Sequence, residues 1–119
     1  MIWSLDKNRP LCPQICEQIC VSIANGTFLP GSRLMSVREM AISAGVNPNT
    51  VQRAYETLER DGILYSMRGS GWFVCEDTAK TQEILQKMIA EKTLNFFHEM
   101  KTLGLDTETV KNYVKEWKE

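Results

Sequence analysis

Between Ser36 and Val74 the chain reads SVREMAISAGVNPNTVQRAYETLERDGILYSMRGSGWFV, and no other stretch restricts the fold as much. Ser36 and Glu39 stand at the Ser-x-x-Glu spacing of a capping box, where each side chain accepts from a backbone N–H that a new helix leaves unpaired. Val37, Met40 and Ala41 give that helix an inward face. Gly45 ends it, because a residue without a Cβ enters the left-handed region at little cost. Asn47 caps the next helix and Pro48 takes its first position, where a missing N–H loses nothing. In that helix Val51, Ala54, Tyr55 and Leu58 recur at i, i+3, i+4 and i+7, the spacing of a core-facing stripe. Asn49, Gln52, Arg53 and Glu56 repeat the spacing on another face, and all four can hydrogen-bond. Gly62 terminates the helix. Ile63–Met67 and Trp72–Cys75 then read as two short strands joined by the hairpin Arg68-Gly69-Ser70-Gly71.

A capped helix, a tight turn, a two-faced helix and a glycine-rich hairpin, in that order, make a winged helix-turn-helix. A B-DNA major groove is about 12 Å wide and admits one α-helix. A reading helix therefore needs an apolar back fixed to the body and a polar front, and the Pro48–Glu59 segment offers both. Asn and Gln can pair bidentately with adenine, and Arg with guanine. The start of the preceding helix offers free N–H groups to a phosphate, and Arg38 adds a charge there. Arg68-Gly69 at the hairpin tip suits a minor groove, whose negative potential attracts arginine. Each feature alone is unspecific, since any amphipathic helix has a polar face. Their order and close spacing carry the reading.

Upstream, residues 1–10 read as an extended lead-in in which Trp3 and Leu5 alternate with polar residues, with a short edge strand as one outcome. Pro10 and Pro13 bracket a helix that runs to about Ala24 and stops at Asn25-Gly26. Cys12, Cys16 and Cys20 share a four-residue spacing that lines them up on one face of that helix, beside Ile15, Ile19 and Ile23. Small thiols suit a packed interior. The alternative is a thiolate metal site or redox sensor at the same three residues, and no histidine accompanies them, His98 being the only one.

After Cys75 the composition shifts. Residues 78–102 read as one long helix with Leu85, Ile89, Phe96, Met100 and Leu103 on its apolar stripe, widened by Ile84, Met88 and Phe97. Gly104 stops it. Asp106 is placed to cap a last helix in which Val110, Tyr113, Val114 and Trp117 form another i, i+3, i+4, i+7 set. Two helices cannot bury such stripes on each other alone, so the face is expected to take a partner.

The net charge of -1 does not advertise a nucleic-acid binder. Residues 1–75 carry seven Lys/Arg against six Asp/Glu, and residues 76–119 seven against nine. DNA affinity must then come from the placement of a few arginines. No apolar run approaches the roughly 18 residues that cross a bilayer, and the N-terminus is charged where a signal peptide is apolar. The expected location is the cytoplasm. No nucleophile–base–acid set and no phosphate-cradling loop is evident, so an enzyme is not expected, nor is a cofactor.

The chain resembles the GntR family of transcription regulators. The matching residues run from Pro10-Leu11, Gln14-Ile15, Ile19 and Ile23 through Gly26, Leu29-Pro30-Gly31 and Arg33-Leu34. They continue with Ser36, Arg38, Ala41, Gly45-Val46, Thr50-Val51, Ala54-Tyr55, Leu58, Gly62 and Gly69-Ser70-Gly71 to Phe73-Val74. The short tail and the stretch Val46–Tyr55 are similar to the YtrA-type subfamily. The resemblance implies a fold that is mainly α with a small β-hairpin wing, followed by two C-terminal dimerisation helices. The expected division is residues 1–76 for DNA binding and 77–119 for dimerisation. It implies a homodimeric repressor on a palindromic operator in double-stranded DNA, near its own or a transporter operon. The implied DNA-binding residues are Ser36, Arg38, Asn47, Asn49, Thr50, Gln52, Arg53, Arg68, Gly69 and Ser70. The expected dimerisation residues are Leu85, Ile89, Phe96, Phe97, Met100, Val110, Tyr113, Val114 and Trp117. A winged-helix module that binds another protein is the alternative from a different class, and it predicts no DNA affinity at physiological salt.

Overall fold

The computed structural model describes residues 3–119. Its elements are α1 (Leu11–Ala24), α2 (Val37–Ala44), α3 (Pro48–Arg60), β1 (Leu64–Met67), β2 (Gly71–Val74), α4 (Ala79–Thr102) and α5 (Thr107–Glu116). Two compact units are present, one up to Leu85 and one spanning Gln86–Glu119. The division falls within α4, whose first turns belong to the first unit. Thr81 there is buried and Ile84 packs against the core.

The first unit has one interior. α1 contributes Ile15, Ile19, Cys20 and Ile23, α2 contributes Met40 and Ala41, and α3 contributes Val51, Ala54, Tyr55 and Leu58. Ile63, Leu64 and Val74 close it from the hairpin side. Burying each large aliphatic side chain contributes about 1.5–3 kcal/mol. Helices of 8 to 14 residues are marginal by themselves, so this shared interior holds them.

The helix ends form where local chemistry puts them. Glu39 N donates to Ser36 Oγ at 3.1 Å and Ser36 N to Glu39 Oε1 at 3.2 Å, completing the capping box. Gly45 ends α2 at φ 69°. Asn47 Oδ1 accepts from Asn49 N at 2.8 Å, with Pro48 first in α3. In the second unit, Asp106 Oδ1 accepts from Thr109 N at 2.9 Å and starts α5.

β1 and β2 pair antiparallel with Leu64 opposite Val74 and Met67 opposite Gly71. The segment after the Pro30-Gly31 turn does more than connect. Gly31 N donates to Val74 O (2.8 Å), Val74 N to Ser32 O (2.9 Å) and Leu34 N to Trp72 O (2.8 Å). Arg33 faces Phe73 as an isolated antiparallel bridge. This third strip covers the outer edge of β2, which a two-stranded hairpin would leave open.

The edge strand considered for the lead-in is not formed over residues 3–10, and residues 1 and 2 lie outside the described residues. Side-chain amides take the place of a partner strand. Gln18 donates to Ser4 O and accepts from Ser4 N, and Gln14 donates to Asp6 O and accepts from Asp6 N. The fit is geometric. Four residues of helix advance about 6 Å, and two residues of extended chain about 6.6 Å. Two glutamines at i and i+4 therefore meet two backbone groups at j and j+2. Trp3 Nε1 also donates to Ser43 Oγ at 3.0 Å and Lys7 Nζ to Gly45 O at 3.3 Å, joining the lead-in to the end of α2.

In the second unit Val110 is fully buried. Ile89, Phe96, Tyr113, Val114 and Trp117 are exposed, Trp117 at 70%. Leu85 in the first unit, and Phe97 and Met100 in the second, are half-buried. No helix among the described residues is long and apolar enough to cross a membrane.

Candidate nucleic-acid interface

The rotation of α3 about its axis decides what it can offer. Its apolar back is fixed at Tyr55, which is fully buried. The Tyr55 hydroxyl donates to Met35 O at 2.8 Å, and its ring meets Trp72 edge-on at 5.4 Å and 66°. Burial pushes the phenol pKa well up, so it remains a neutral donor. One side chain thus ties α3 to the approach into α2 and to β2. The opposite face is then turned outward: Asn49, Arg53 and Glu56 are exposed, and Thr50 and Gln52 half-buried. Gln52 Nε2 donates to Glu56 Oε1 at 2.8 Å, which holds the amide upright on the helix and leaves its carbonyl oxygen and second N–H for another partner.

α2 presents Arg38 in its first turn, exposed. Ser36 and Asn47 are engaged as helix caps, so what they give this surface is the orientation of the α2 and α3 starts. Glu39, in the capping box, is held below the ordinary glutamate range by its hydrogen bonds with Ser36 and by the nearby Arg33 charge.

The hairpin is anchored to α3. Glu59 Oε2 accepts from Ser66 N at 3.1 Å and from Ser66 Oγ at 2.7 Å, and Tyr65 stacks on Phe73 at 5.4 Å. Ser70 N donates to Met67 O at 2.9 Å and closes the turn. Gly69, at φ 80°, supplies the backbone conformation the tip requires. Arg68, Gly69 and Ser70 are exposed at that tip. Arg38, Arg53 and Arg68 enter no ion pair among the described residues. The expected residues thus lie in the first unit on three pieces: the α2 start, the polar face of α3 and the hairpin tip.

Arg33 was not among the expected site residues. It is exposed and sits at the root of the hairpin, against Gly71. A Cβ at position 71 would come within 3.3 Å of Arg33 Nε and 3.5 Å of Nη2. Its position depends on a backbone pairing across forty residues, and the sequence signal is only an arginine just past a Pro-Gly turn.

The cysteines behave as interior residues. Cys20 is buried, and Cys16 Sγ donates to Ala54 O at 3.6 Å across the α1–α3 contact. Burial, then the neighbouring Cys12, pushes the Cys16 thiol up to about 12, and burial pushes Cys20 up to about 11. Both therefore remain neutral thiols near pH 7 in the metal-free chain. Among the described residues no group of three His, Cys, Asp or Glu is placed to hold a metal ion.

Comparison with known proteins agrees with this fold. The model of the family described as "Bacterial regulatory proteins, gntR family" matches residues 12–74. The chain is 37% identical over 111 residues to the HTH-type transcriptional repressor YtrA of Bacillus subtilis, covering 92% of this chain and 85% of that one. Its fold is similar to a GntR family transcriptional regulator from Listeria monocytogenes, with TM-score 0.84, 37% identity and coverage of 96% of this chain and 100% of that one. It is also similar to the DNA-binding domain of AraR in complex with operator ORX1, with TM-score 0.54, 30% identity and coverage of 63% and 92%. The chain belongs to the gntR family of bacterial regulatory proteins and is a transcriptional regulator with a GntR-type DNA-binding domain.

Proposed function

We propose that this regulator is a homodimeric, sequence-specific repressor that binds a palindromic operator. The observation that carries the sequence-reading part is the outward α3 face of exposed Asn49 and Arg53 and half-buried Gln52, held by the buried Tyr55. In this reading α3 lies in the major groove, with Asn49, Thr50, Gln52 and Arg53 at base edges. Arg38 meets a phosphate or a base edge at the α2 start, and Arg68, Gly69 and Ser70 enter the neighbouring minor groove. The name of YtrA as a transcriptional repressor supports repression, and the AraR complex supports an operator as the ligand.

The second unit supports the dimer. Phe96, Met100, Tyr113, Val114 and Trp117 line an apolar hollow of about 430 Å³, and a neighbouring hollow of about 400 Å³ shares Phe96 and Val114. Exposed aromatic surface of this kind marks an association face, and a second copy supplies a matching one by two-fold symmetry. In this division the winged unit reads one half-site and the helices after it supply the pairing. Two copies then read half-sites about one helical turn apart.

The test is fluorescence anisotropy with DNA from the protein's own promoter region, against unrelated DNA, across a salt series. The expected result is a sequence preference with a steep loss of affinity as salt rises. Arg38→Ala should weaken binding by about 1–3 kcal/mol with the fold intact. Binding without preference or salt dependence refutes the reading. Sedimentation equilibrium tests the dimer: Trp117→Asp should yield monomers, and a wild-type monomer at tens of micromolar would sink that part alone.

A further inference from the structure

We propose that Arg33 is a further DNA contact, a guanidinium carried at the root of the wing to bind a backbone phosphate. Four observations converge on it. First, its backbone is held on both sides, by Val74 N to Ser32 O at 2.9 Å and Leu34 N to Trp72 O at 2.8 Å, so the side chain leaves from a rigid strip. Second, Gly71 lies directly beneath it. It has φ 109°, where other residues are strained, and a Cβ there would press on Nε at 3.3 Å. Third, Arg33 is exposed and enters no ion pair among the described residues. The nearby anion, Glu39, is already occupied by Ser36 in the capping box. Fourth, its neighbours are the two elements that would flank a phosphate strand in the proposed DNA complex: the hairpin on one side, through Phe73 and Gly71, and the α2 start on the other, through Glu39.

The chemistry suits a phosphodiester. A guanidinium offers a planar fork of N–H donors that matches two phosphate oxygens. Its backbone is already held, so only the side chain gives up freedom on binding. A near-neutral protein gains most from such placement, because bulk charge supplies little of the affinity. The contact is to the backbone, so it strengthens binding to any sequence and positions the wing without reading bases.

This inference rests on the DNA-binding reading, and the experiment separates the two. Arg33→Met and Arg33→Lys are titrated with promoter DNA and with unrelated DNA at four or more salt concentrations, with thermal unfolding recorded for each. Arg33→Met should weaken both DNAs by a similar factor, roughly tenfold, and lower the slope of log K against log salt by about one. Arg33→Lys keeps the charge and should keep the slope. An unchanged slope in Arg33→Met, or a loss confined to the promoter sequence, overturns the assignment. A lower melting temperature with an unchanged slope assigns Arg33 a structural role and overturns it equally. If Arg33→Met does not fold, Arg33→Gln carries the same comparison. If the wild-type protein binds no DNA, the parent reading has failed instead.

Discussion

Replacing Tyr55 by Phe removes one oxygen and nothing else. The hydroxyl donates to Met35 O at 2.8 Å, and no other polar contact of the side chain exists among the described residues. The ring is fully buried and keeps its edge contact with Trp72 at 5.4 Å. A neutral hydrogen bond contributes about 0.5–1.5 kcal/mol net, and an orphaned carbonyl costs about 1–3 kcal/mol. Met35 is only half-buried, so water can reach its carbonyl in part and the lower half of that range applies. The expected loss is about 1–2 kcal/mol. For a domain of this size each kcal/mol lowers the melting temperature by roughly 4–8 °C. Differential scanning calorimetry of the wild type and Tyr55→Phe should therefore show a fall of roughly 4–16 °C, with urea denaturation giving the matching free-energy change at constant slope. Affinity for promoter DNA well below the transition should change little, because the polar face of α3 keeps its direction while the ring stays packed. Tyr55→Leu also deletes the ring contact and should lose about 0.5–1.5 kcal/mol more. A drop under about 1 °C in Tyr55→Phe would refute the claim that this hydroxyl clamps α3 to the approach into α2.

Two further outcomes follow. Gly45 has φ 69° and an added Cβ would meet nothing within 4 Å, so Gly45→Ala is a purely conformational change; it should destabilise by about 1 kcal/mol in chemical denaturation, and a neutral result would show that the α2–α3 turn relaxes freely. Cys16 and Cys20 are raised to about 12 and about 11 from an ordinary 9.0, so folding favours their protonated forms. Their contribution to stability is fully present below pH 9 and is lost as pH rises through their folded values. Iodoacetamide at about pH 8 should label them slowly in the native protein and fully after denaturation, and rapid native labelling of both would contradict the packed-interior reading.

Some of this protein is open to local reasoning. Ser36 with Glu39, Asn47 with Pro48, Gly45, Gly104 and Asp106 all act within four residues of themselves, so their spacing alone places the helix ends that the structure shows. The two faces of α3 follow from the 3.6-residue period in the same way. Arg33 is not legible in this manner because its environment is made by Gly71 and Phe73, nearly forty residues away. The lead-in departs from the edge strand for a related reason. Alternation of Trp3 and Leu5 marks an extended chain, but it does not say whether a strand or two glutamine side chains will satisfy the backbone.

The sequence by itself determined the order of elements, the caps that bound them and the residues that can face outward on α3. Those depend on steric preference and on hydrogen bonds that close within one helical turn. Tertiary structure decided the rest: that Gly31–Leu34 lies along β2, that Gln14 and Gln18 hold the lead-in, that Ile84 joins the core and that Val110 is buried within its own chain. The physical reason is distance. A buried group must find a partner wherever packing brings one, and a one-dimensional pattern records which groups need partners without recording which ones they meet.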